Sequence, residues 1–130
     1  MTDELLQTAC TAREQAHAPY SKFKVGAAVR GESGKIFGGC NIENAAYPEG
    51  ICAETAAIAA MVLAGDSKII ELLVVGVSDQ PVTPCGGCRQ RIREFAGPYT
   101  PIHIASPDGV EQTLTLGELL PQSFGPENLS

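Results

Sequence analysis

The alternation of apolar and polar residues along the chain predicts helices and short strands in turn. At the beginning of the chain, apolar residues recur at intervals of three and four, the spacing of one helical face, until Pro19 interrupts the pattern. Between residues 52 and 64 nearly every residue is alanine or aliphatic, which predicts a helix that is buried all round. The predicted helices cover residues 3–17, 52–64 and 85–96, with a last helical turn over 116–120.

Shorter apolar segments, bounded by glycine and proline, predict strands. The first two are joined into a hairpin by the turn 31–34, and the last two flank the turn 107–109. The continuous apolar run 72–77 is typical of a central strand covered on both faces. Residues 41–51, which contain a proline and a glycine as helix breakers, are predicted to form a loop. The predicted strands cover residues 23–30, 35–40, 72–77, 102–105 and 110–114.

The order of these elements predicts the fold class. Helices and strands alternate without an internal repeat, a low-complexity segment or a linker, so residues 1–130 are expected to form a single α/β domain. We expect a three-layer α/β/α sandwich with a five-stranded mixed sheet between the helical layers. A chain of 130 residues is long enough to bury a hydrophobic core of its own.

The charge of the chain restricts its partners. The formal net charge is −6, whereas a nucleic-acid-binding protein usually presents a basic face that neutralises phosphates. The clustered bases Arg89, Arg91 and Arg93 are distributed around a predicted helix rather than along one stripe. The charge therefore disfavours nucleic acid as a partner and favours a small, weakly charged substrate.

The N-terminal segment and the cysteine count indicate the compartment. The first ten residues are acidic and lack the basic region and apolar core of a signal peptide. No apolar run approaches the ~20 residues that a membrane-spanning helix needs. Five cysteines, an odd number, in a chain without an export signal argue against a disulfide framework. We therefore expect a cytoplasmic protein with reduced thiols and no membrane partner.

Two short motifs carry the candidate chemistry. The first is C-A-E at 52–54, a thiol with a carboxylate two residues on, and the second is P-C-G-G-C at 84–88, two thiols separated by two residues. Three thiolates are one ligand short of a closed structural zinc site, which leaves a coordination position for water. A carboxylate beside that water can accept its proton and pass it on, which is the donor pattern of the zinc deaminases.

Each motif lies where a predicted helix begins. The N-terminus of a helix carries unpaired N–H groups and a partial positive charge, which lower the pKa of a thiol and stabilise its thiolate. Three thiolates around Zn²⁺ leave one net negative charge, which opposes ionisation of a bound water, so a nearby base gains importance. Glu54 is the expected base, because it lies on the same first turn as Cys52.

The two motifs have to be interpreted together. A lone C-x-x-C pair is as often a structural zinc corner or a redox site as part of a catalytic centre. The additional thiol and carboxylate about thirty residues upstream favour a catalytic zinc held by Cys52, Cys85 and Cys88.

The other cysteines and the histidines lie outside both motifs. We interpret Cys10 and Cys40 as ordinary small apolar residues. His17 and His103 are interpreted as surface histidines or as hydrogen-bonded core histidines rather than as metal ligands.

Beyond the zinc motifs, the chain closely resembles the small, homotetrameric class of cytidine deaminases. The matching segments are distributed over almost the whole chain, and the first two are far more specific than the zinc motif. They are APYSKFKVGAA at 18–28, GGCNIENAAYPEGICAE at 38–54, PCGGCRQ at 84–90 and LLPQSF at 119–124. The resemblance implies a cytidine deaminase-like fold, one Zn²⁺ per chain bound by Cys52, Cys85 and Cys88, and Glu54 as the proton shuttle.

The resemblance also implies contacts to a small-molecule nucleoside substrate. Asn41 and Glu43 would form hydrogen bonds to the ribose hydroxyls, and Phe23 would pack against the pyrimidine. The backbone of Ala53 would help to hold the polar edge of the base. Without the resemblance, a core position for Phe23 is the lesser alternative, and Asn41 and Glu43 could be turn and surface residues.

A further implication concerns assembly. In this class a loop matching Ala45 and Tyr47, and a phenylalanine matching Phe124, come from adjacent subunits and close the pocket. The resemblance therefore implies a homotetramer with active sites shared between subunits. Taken alone, both aromatic residues could be ordinary packing residues.

One residue departs from the pattern of the class. After the catalytic glutamate, many members have an arginine that forms hydrogen bonds to the zinc thiolates and offsets their negative charge, whereas this chain has Thr55. Arg89, which is next to Cys88, and the helix dipoles are the two candidates for balancing the charge.

These observations predict a zinc-dependent enzyme of pyrimidine salvage that deaminates cytidine and 2′-deoxycytidine. Three alternatives remain. A deaminase of a nucleoside antibiotic would share the zinc residues but would not need the segment 41–43 that contacts ribose. A structural zinc module or an inactive deaminase fold would need neither Glu54 nor an open coordination position. An enzyme that edits RNA or DNA is disfavoured by the acidic composition.

Overall fold

The computed structural model describes residues 2–129, which form four α-helices and five strands. Two short 3₁₀ turns, Tyr47–Glu49 and Pro126–Asn128, were not predicted. The helices are α1 (Thr2–Glu14), α2 (Ala53–Leu63), α3 (Gly86–Phe95) and α4 (Leu116–Leu119). The strands are β1 (Gly26–Gly31), β2 (Ile36–Cys40), β3 (Ile69–Val75), β4 (Pro101–Ser106) and β5 (Gly109–Thr115).

The strands form one mixed sheet in the order β2-β1-β3-β4-β5. Only the pair β3–β4 is parallel among the described strands, and α3 forms its crossover. Helix α1 packs Leu5 and Ala9 on one face of the sheet, whereas α2 and α3 bury Ala57, Met61 and Ile92 against the other face. The predicted three-layer sandwich with a five-stranded mixed sheet is confirmed.

Two predicted boundaries are wrong for identifiable reasons. Helix α1 ends at Glu14 rather than at residue 17, because the amide of His17 donates to the carbonyl of Asn41 and so leaves the helix. Strand β1 begins at Gly26 rather than at Phe23, because the segment before it pairs with the side chain of Asn41 instead of a neighbouring strand.

The predicted burial over 72–77 is confirmed for residues 72–75 but not for Val77, which lies beyond the end of β3 and is exposed, and it is wrong in part for α2. The middle of β3 is covered on both faces, with residues 72–75 fully buried. Helix α2 buries Ala53, Ala57 and Met61, but its last turn projects outward, and Leu63 is 90% exposed. Within the described residues, no helix is long and apolar enough to cross a membrane.

The histidines behave as interpreted from the sequence. His103 is buried, and its ring nitrogens lie 2.8 Å from Glu71 Oε1 and 2.9 Å from Thr113 Oγ1. Although burial of Glu71 opposes its ionisation, its hydrogen bonds to His103 and Arg30 hold the pKa of the carboxyl below its ordinary value. His17 is exposed.

Helix α2 is fixed to the sheet by a close backbone contact at Gly39 of β2. The absence of a side chain there lets the helix backbone at Ala53 and Ala57 lie directly on the strand. Because Ala53 is the first residue of α2, this contact determines where the first turn of the helix lies relative to the sheet.

Replacing Gly39 with alanine is therefore expected to destabilise the fold. A Cβ atom at this position would lie 2.3 Å from Ala57 N and 2.7 Å from Ala53 O, so α2 would have to move away from β2. Such overpacking costs about 3 kcal/mol of unfolding free energy. Denaturant unfolding measures the loss, and Gly97→Ala is the control because a Cβ there meets nothing within 4 Å. If Gly39→Ala and Gly97→Ala had the same free energy of unfolding, α2 would not be packed closely on β2 at Gly39.

Candidate active site

The three motif thiols meet where two helices begin. Cys52 is the N-cap residue of α2 and Cys85 is the N-cap residue of α3, as the sequence predicted, and their Sγ atoms lie 3.8 Å apart. Cys88, on the first turn of α3, is fully buried. All three Sγ atoms lie within 4.8 Å of one another, although residues 52 and 85 are far apart in sequence.

This donor set fits zinc. Two thiolates that each bind a tetrahedral Zn²⁺ at about 2.3 Å lie about 3.8 Å apart, the separation found between Cys52 and Cys85. Thiolates are the soft ligands that zinc prefers, and three of them leave one position open. Cys10 and Cys40 are free thiols outside this group, and Cys10 packs against the core beneath α1.

The thiols of Cys52 and Cys88 shift each other's pKa in the protein without metal. The hydrogen bond between Cys52 and Cys88 lowers the pKa of Cys52 and raises the pKa of Cys88, and burial of Cys88 raises its pKa further. Because zinc binds thiolates, loading of the site is expected to release protons.

Glu54 lies on the first turn of α2, directly beside the sulfur cluster. Its side chain is only 4% exposed, and this burial raises the pKa of its carboxyl above the ordinary value. Such an environment suits a group that both accepts and donates a proton during a reaction. The structure thus combines the predicted metal ligands and the predicted base in one place.

A cavity of about 650 Å³ opens onto this cluster. Six of the predicted site residues outside the zinc ligands line it, together with two of the ligands. Those lining residues are Phe23, Asn41, Glu43, Tyr47, Ala53 and Glu54, with Cys52 and Cys85. The alternative of a core position for Phe23 is wrong, because its side chain is partly exposed at the cavity.

Asn41 shapes the wall of the cavity with both ends of its amide. Its Nδ2 donates to the carbonyl O of Phe23 at 2.9 Å, and its Oδ1 accepts from the amide of Val25 at 2.9 Å. These bonds hold the segment that carries the Phe23 ring. Each end of the amide can make one further hydrogen bond, so the predicted contact to ribose is still possible.

Glu43 lies across the cavity mouth and caps the turn that precedes β1. One carboxylate oxygen accepts hydrogen bonds from the amides of Tyr20 and Ser21 at 3.0 and 3.1 Å, and the other accepts from the Ser21 hydroxyl. The Ser21 hydroxyl holds the pKa of Glu43 below its ordinary value. The carboxylate is therefore ionised and fixed in position before a substrate binds.

Besides the buried ligand Cys88, two predicted residues do not line the cavity of this chain. Ala45 is exposed on the loop before the first 3₁₀ turn, and Phe124 is 58% exposed near the C-terminus. Tyr47 does line the cavity at its rim, where its ring makes an edge contact with Tyr20. The C-terminal segment is held by α3, since Gln90 donates to the carbonyl O of Phe124 at 3.0 Å.

Several residues at the site were not predicted. Ser21 is the most important, because it orients Glu43, and the segment 18–28 gave a signal for it by matching the deaminase pattern. The other unpredicted lining residues are mostly apolar, and most of them lie within the same matching segments. They include Tyr20, Val25, Ile42, Ile51, Val82 and Thr83.

Arg89, which was expected from the sequence as one candidate for balancing the metal charge, hydrogen-bonds to backbone carbonyls rather than to a sulfur of the cluster. Its guanidinium group donates to the carbonyl O of Pro84 at 2.8 Å and to that of Leu119 at 2.9 Å. It therefore braces the ligand loop against the C-terminal segment. The guanidinium group that reaches the sulfur cluster belongs to Arg91, with Nη1 at 3.9 Å from Cys88 Sγ.

A helix-flanked mixed sheet in which two helix N-termini bring three thiols and a buried carboxyl to one cavity defines a zinc-dependent deaminase. Residues 1–103 match the family model described as the cytidine and deoxycytidylate deaminase zinc-binding region. The chain belongs to this family.

Individual relatives extend the match to nearly the full length. A cytidine deaminase of Sporosarcina psychrophila is 44% identical over 128 residues, covering 98% of this chain and 94% of the relative. One of Halalkalibacterium halodurans is 38% identical over 126 residues, covering 97% and 96%. The crystal structure of a cytidine deaminase from Burkholderia pseudomallei superposes with a TM-score of 0.89 at 39% identity, covering 95% of this chain and 99% of that one. The family resemblance predicted from the sequence motifs is confirmed.

Proposed function

We propose that the protein catalyses the hydrolytic deamination of cytidine and 2′-deoxycytidine to uridine and 2′-deoxyuridine, with release of ammonia. One observation carries the proposal: the buried carboxyl of Glu54 and the thiols of Cys52 and Cys85 line the same cavity as Phe23 and Glu43. We place this reaction in pyrimidine salvage in the cytoplasm, in keeping with the acidic chain and its free cysteines.

Glu54 moves the protons of the reaction. Zinc, when bound by the three thiolates, supplies the Lewis acidity that lowers the pKa of a water molecule. The Glu54 carboxylate accepts a proton from the water that adds to C4 of the pyrimidine and donates it to N3. It then carries the proton of the new C4 hydroxyl to the amino group, which leaves as ammonia. One water is consumed for each ammonia released.

The remaining cavity residues hold the nucleoside. The ring of Phe23 packs on the pyrimidine, and the backbone of Ala53, at the start of α2, holds its polar edge. Glu43 and Asn41 accept and donate hydrogen bonds at the ribose hydroxyls. Because Glu43 is already ionised and oriented by Ser21, little ordering is needed when the sugar binds.

We further propose that the protein is a homotetramer whose active sites are shared between subunits. Large apolar side chains are exposed on the single chain, among them Leu63 at 90%, Tyr47 at 77% and Phe124 at 58%. An exposed apolar surface of this kind is typical of a subunit interface. In the tetramer, Ala45, Tyr47 and Phe124 contribute to the pocket of a neighbour, and Tyr47 also lines the rim of the cavity of its own chain.

Subunit mixing tests this arrangement. Phe124→Ala is expected to lower kcat/KM about tenfold with zinc content unchanged, because the pocket loses one apolar wall. Unfolding and refolding a mixture of Phe124→Ala and Glu54→Gln chains should restore part of the activity, since some sites then combine an intact Glu54 with an intact Phe124. Light scattering should give the mass of four chains. A monomeric mass, or no recovery on mixing, would contradict the shared site.

The reaction itself is tested by following the ultraviolet band of cytidine with purified protein and measuring bound zinc in the same sample. We expect loss of the band, stoichiometric ammonia and about one zinc per chain, by the ligand count of a single site. Turnover of a nucleoside antibiotic without turnover of cytidine would support the antibiotic deaminase instead. Zinc without any turnover would support a structural or inactive module.

A further inference from the structure

The guanidinium group of Arg91 lies against the sulfur cluster but outside the substrate cavity. Its Nη1 is 3.9 Å from Sγ of Cys88, the fully buried member of the three thiols. Arg91 is not among the residues that line the cavity. Its position therefore relates it to the metal ligands rather than to the substrate.

The geometry of α3 explains how Arg91 reaches the sulfur. Residues three apart lie on the same side of a helix, and long side chains point back towards its N-terminus. Arg91 therefore folds back over the preceding turn towards Cys88. Gly87 leaves the space for it, because a Cβ atom at that position would lie 3.3 Å from Arg91 Nη1.

The negative charge of the zinc–thiolate centre requires a compensating positive charge near Cys88. Three thiolates around Zn²⁺ leave one net negative charge, and the buried Glu54 carboxylate lies beside them. The N-termini of α2 and α3 together offer about one unit of positive charge, which offsets the excess of the three thiolates but leaves the Glu54 carboxylate unbalanced. The second polar side chain at Cys88 is Thr55, whose neutral Oγ1 is 3.9 Å from Sγ. Arg91, in contrast, carries a full charge that it keeps at any physiological pH.

We propose that Arg91 balances the charge of the zinc–thiolate centre and thereby slows the loss of zinc. It is a positioning residue that acts through Cys88. This role goes beyond the deamination reaction, since it concerns retention of the metal whatever substrate the cavity accepts.

Release of zinc to a chelator tests the role directly. With holoenzyme and a colorimetric chelator in excess, Arg91→Gln is expected to release zinc about tenfold faster than the wild type, the usual cost of losing a partner of a metal ligand. Lys68→Gln is the matched control, because it removes the same charge from an exposed residue before β3. Arg91→Lys should release zinc at an intermediate rate. Unfolding of the metal-free proteins should not differ.

A double variant shows whether zinc release is slowed by the charge of Arg91 or by the shape of its side chain. Adding Thr55→Arg to Arg91→Gln places a cation beside the same sulfur from α2, and slow release should return. Salt should reduce the difference between the wild type and Arg91→Gln, because Arg91 is exposed. Equal release rates for wild type, Arg91→Gln and Lys68→Gln would overturn the proposal. A wild-type protein that holds no zinc would overturn it as well, whether or not cytidine is turned over.

Discussion

Replacing Glu54 with glutamine is expected to lower kcat for cytidine by about three orders of magnitude, because an amide cannot accept and return a proton. The side chain is nearly isosteric and is 4% exposed, so the packing of the first turn of α2 should persist. Zinc content should also persist, since the three thiols are unchanged. The measurement is steady-state turnover together with zinc quantification.

The effect of removing a carboxylate anywhere in the protein has to be measured separately. Glu94→Gln makes the same chemical change at an exposed position of α3 and should leave kcat unchanged. If Glu54→Gln retained kcat within tenfold of the wild type, Glu54 would not be the proton shuttle. If it lost its zinc, the lost activity would have to be assigned to the metal site.

Replacing Glu43 with alanine is expected to have the second largest effect, a fall of about 100-fold in kcat/KM for cytidine. A charged hydrogen bond to a ribose hydroxyl is lost, and such bonds discriminate strongly between substrates that possess and lack the hydroxyl. The wild type should discriminate against 2′,3′-dideoxycytidine, whereas Glu43→Ala should treat the two nucleosides nearly alike. Kinetics with both substrates on both proteins form a double-mutant cycle.

The structural role of Glu43 has to be separated from this contact. The carboxylate also caps the turn at Tyr20 and Ser21, so the alanine variant releases that turn as well. Ser21→Ala removes the hydroxyl bond but keeps the carboxylate, and it should lower kcat/KM far less. If both variants lost activity equally on both nucleosides, Glu43 would be holding the turn rather than the sugar.

The metal ligands and the base were predictable because their placement depends on local structure. A cysteine at a helix start needs only the helix to form, and both helices are signalled by the residues that follow Cys52 and Cys85. The strand boundary at Gly26 was not predictable in this way. It depends on the side chain of Asn41, which the pairing of β1 with β2 places beside the segment before Gly26.

Which of the two arginines, Arg89 or Arg91, contacts the sulfur cluster could not be predicted for a different reason. Adjacent residues on a helix point about 100° apart, whereas residues three apart point the same way. Arg89 was favoured because it is adjacent to Cys88 in sequence. In the helix, however, the side chain of Arg89 points towards Pro84 and Leu119. Arg91, three residues after Cys88, lies on the same side of α3 and contacts its sulfur. The exposure of the last turn of α2 could not be predicted either. Apolar side chains occur both in protein cores and in subunit interfaces, so their presence in the sequence does not distinguish the two.

The bracing by Arg89 also bears on the order in which the protein is synthesised. The guanidinium group joins the carbonyl before Cys85 to that of Leu119, a residue the ribosome adds more than thirty positions later. All three metal-binding cysteines therefore leave the ribosome before the acceptor that steadies their loop. The loop before α3 therefore attains its final rigidity only when the segment that contains Leu119 has folded back onto it.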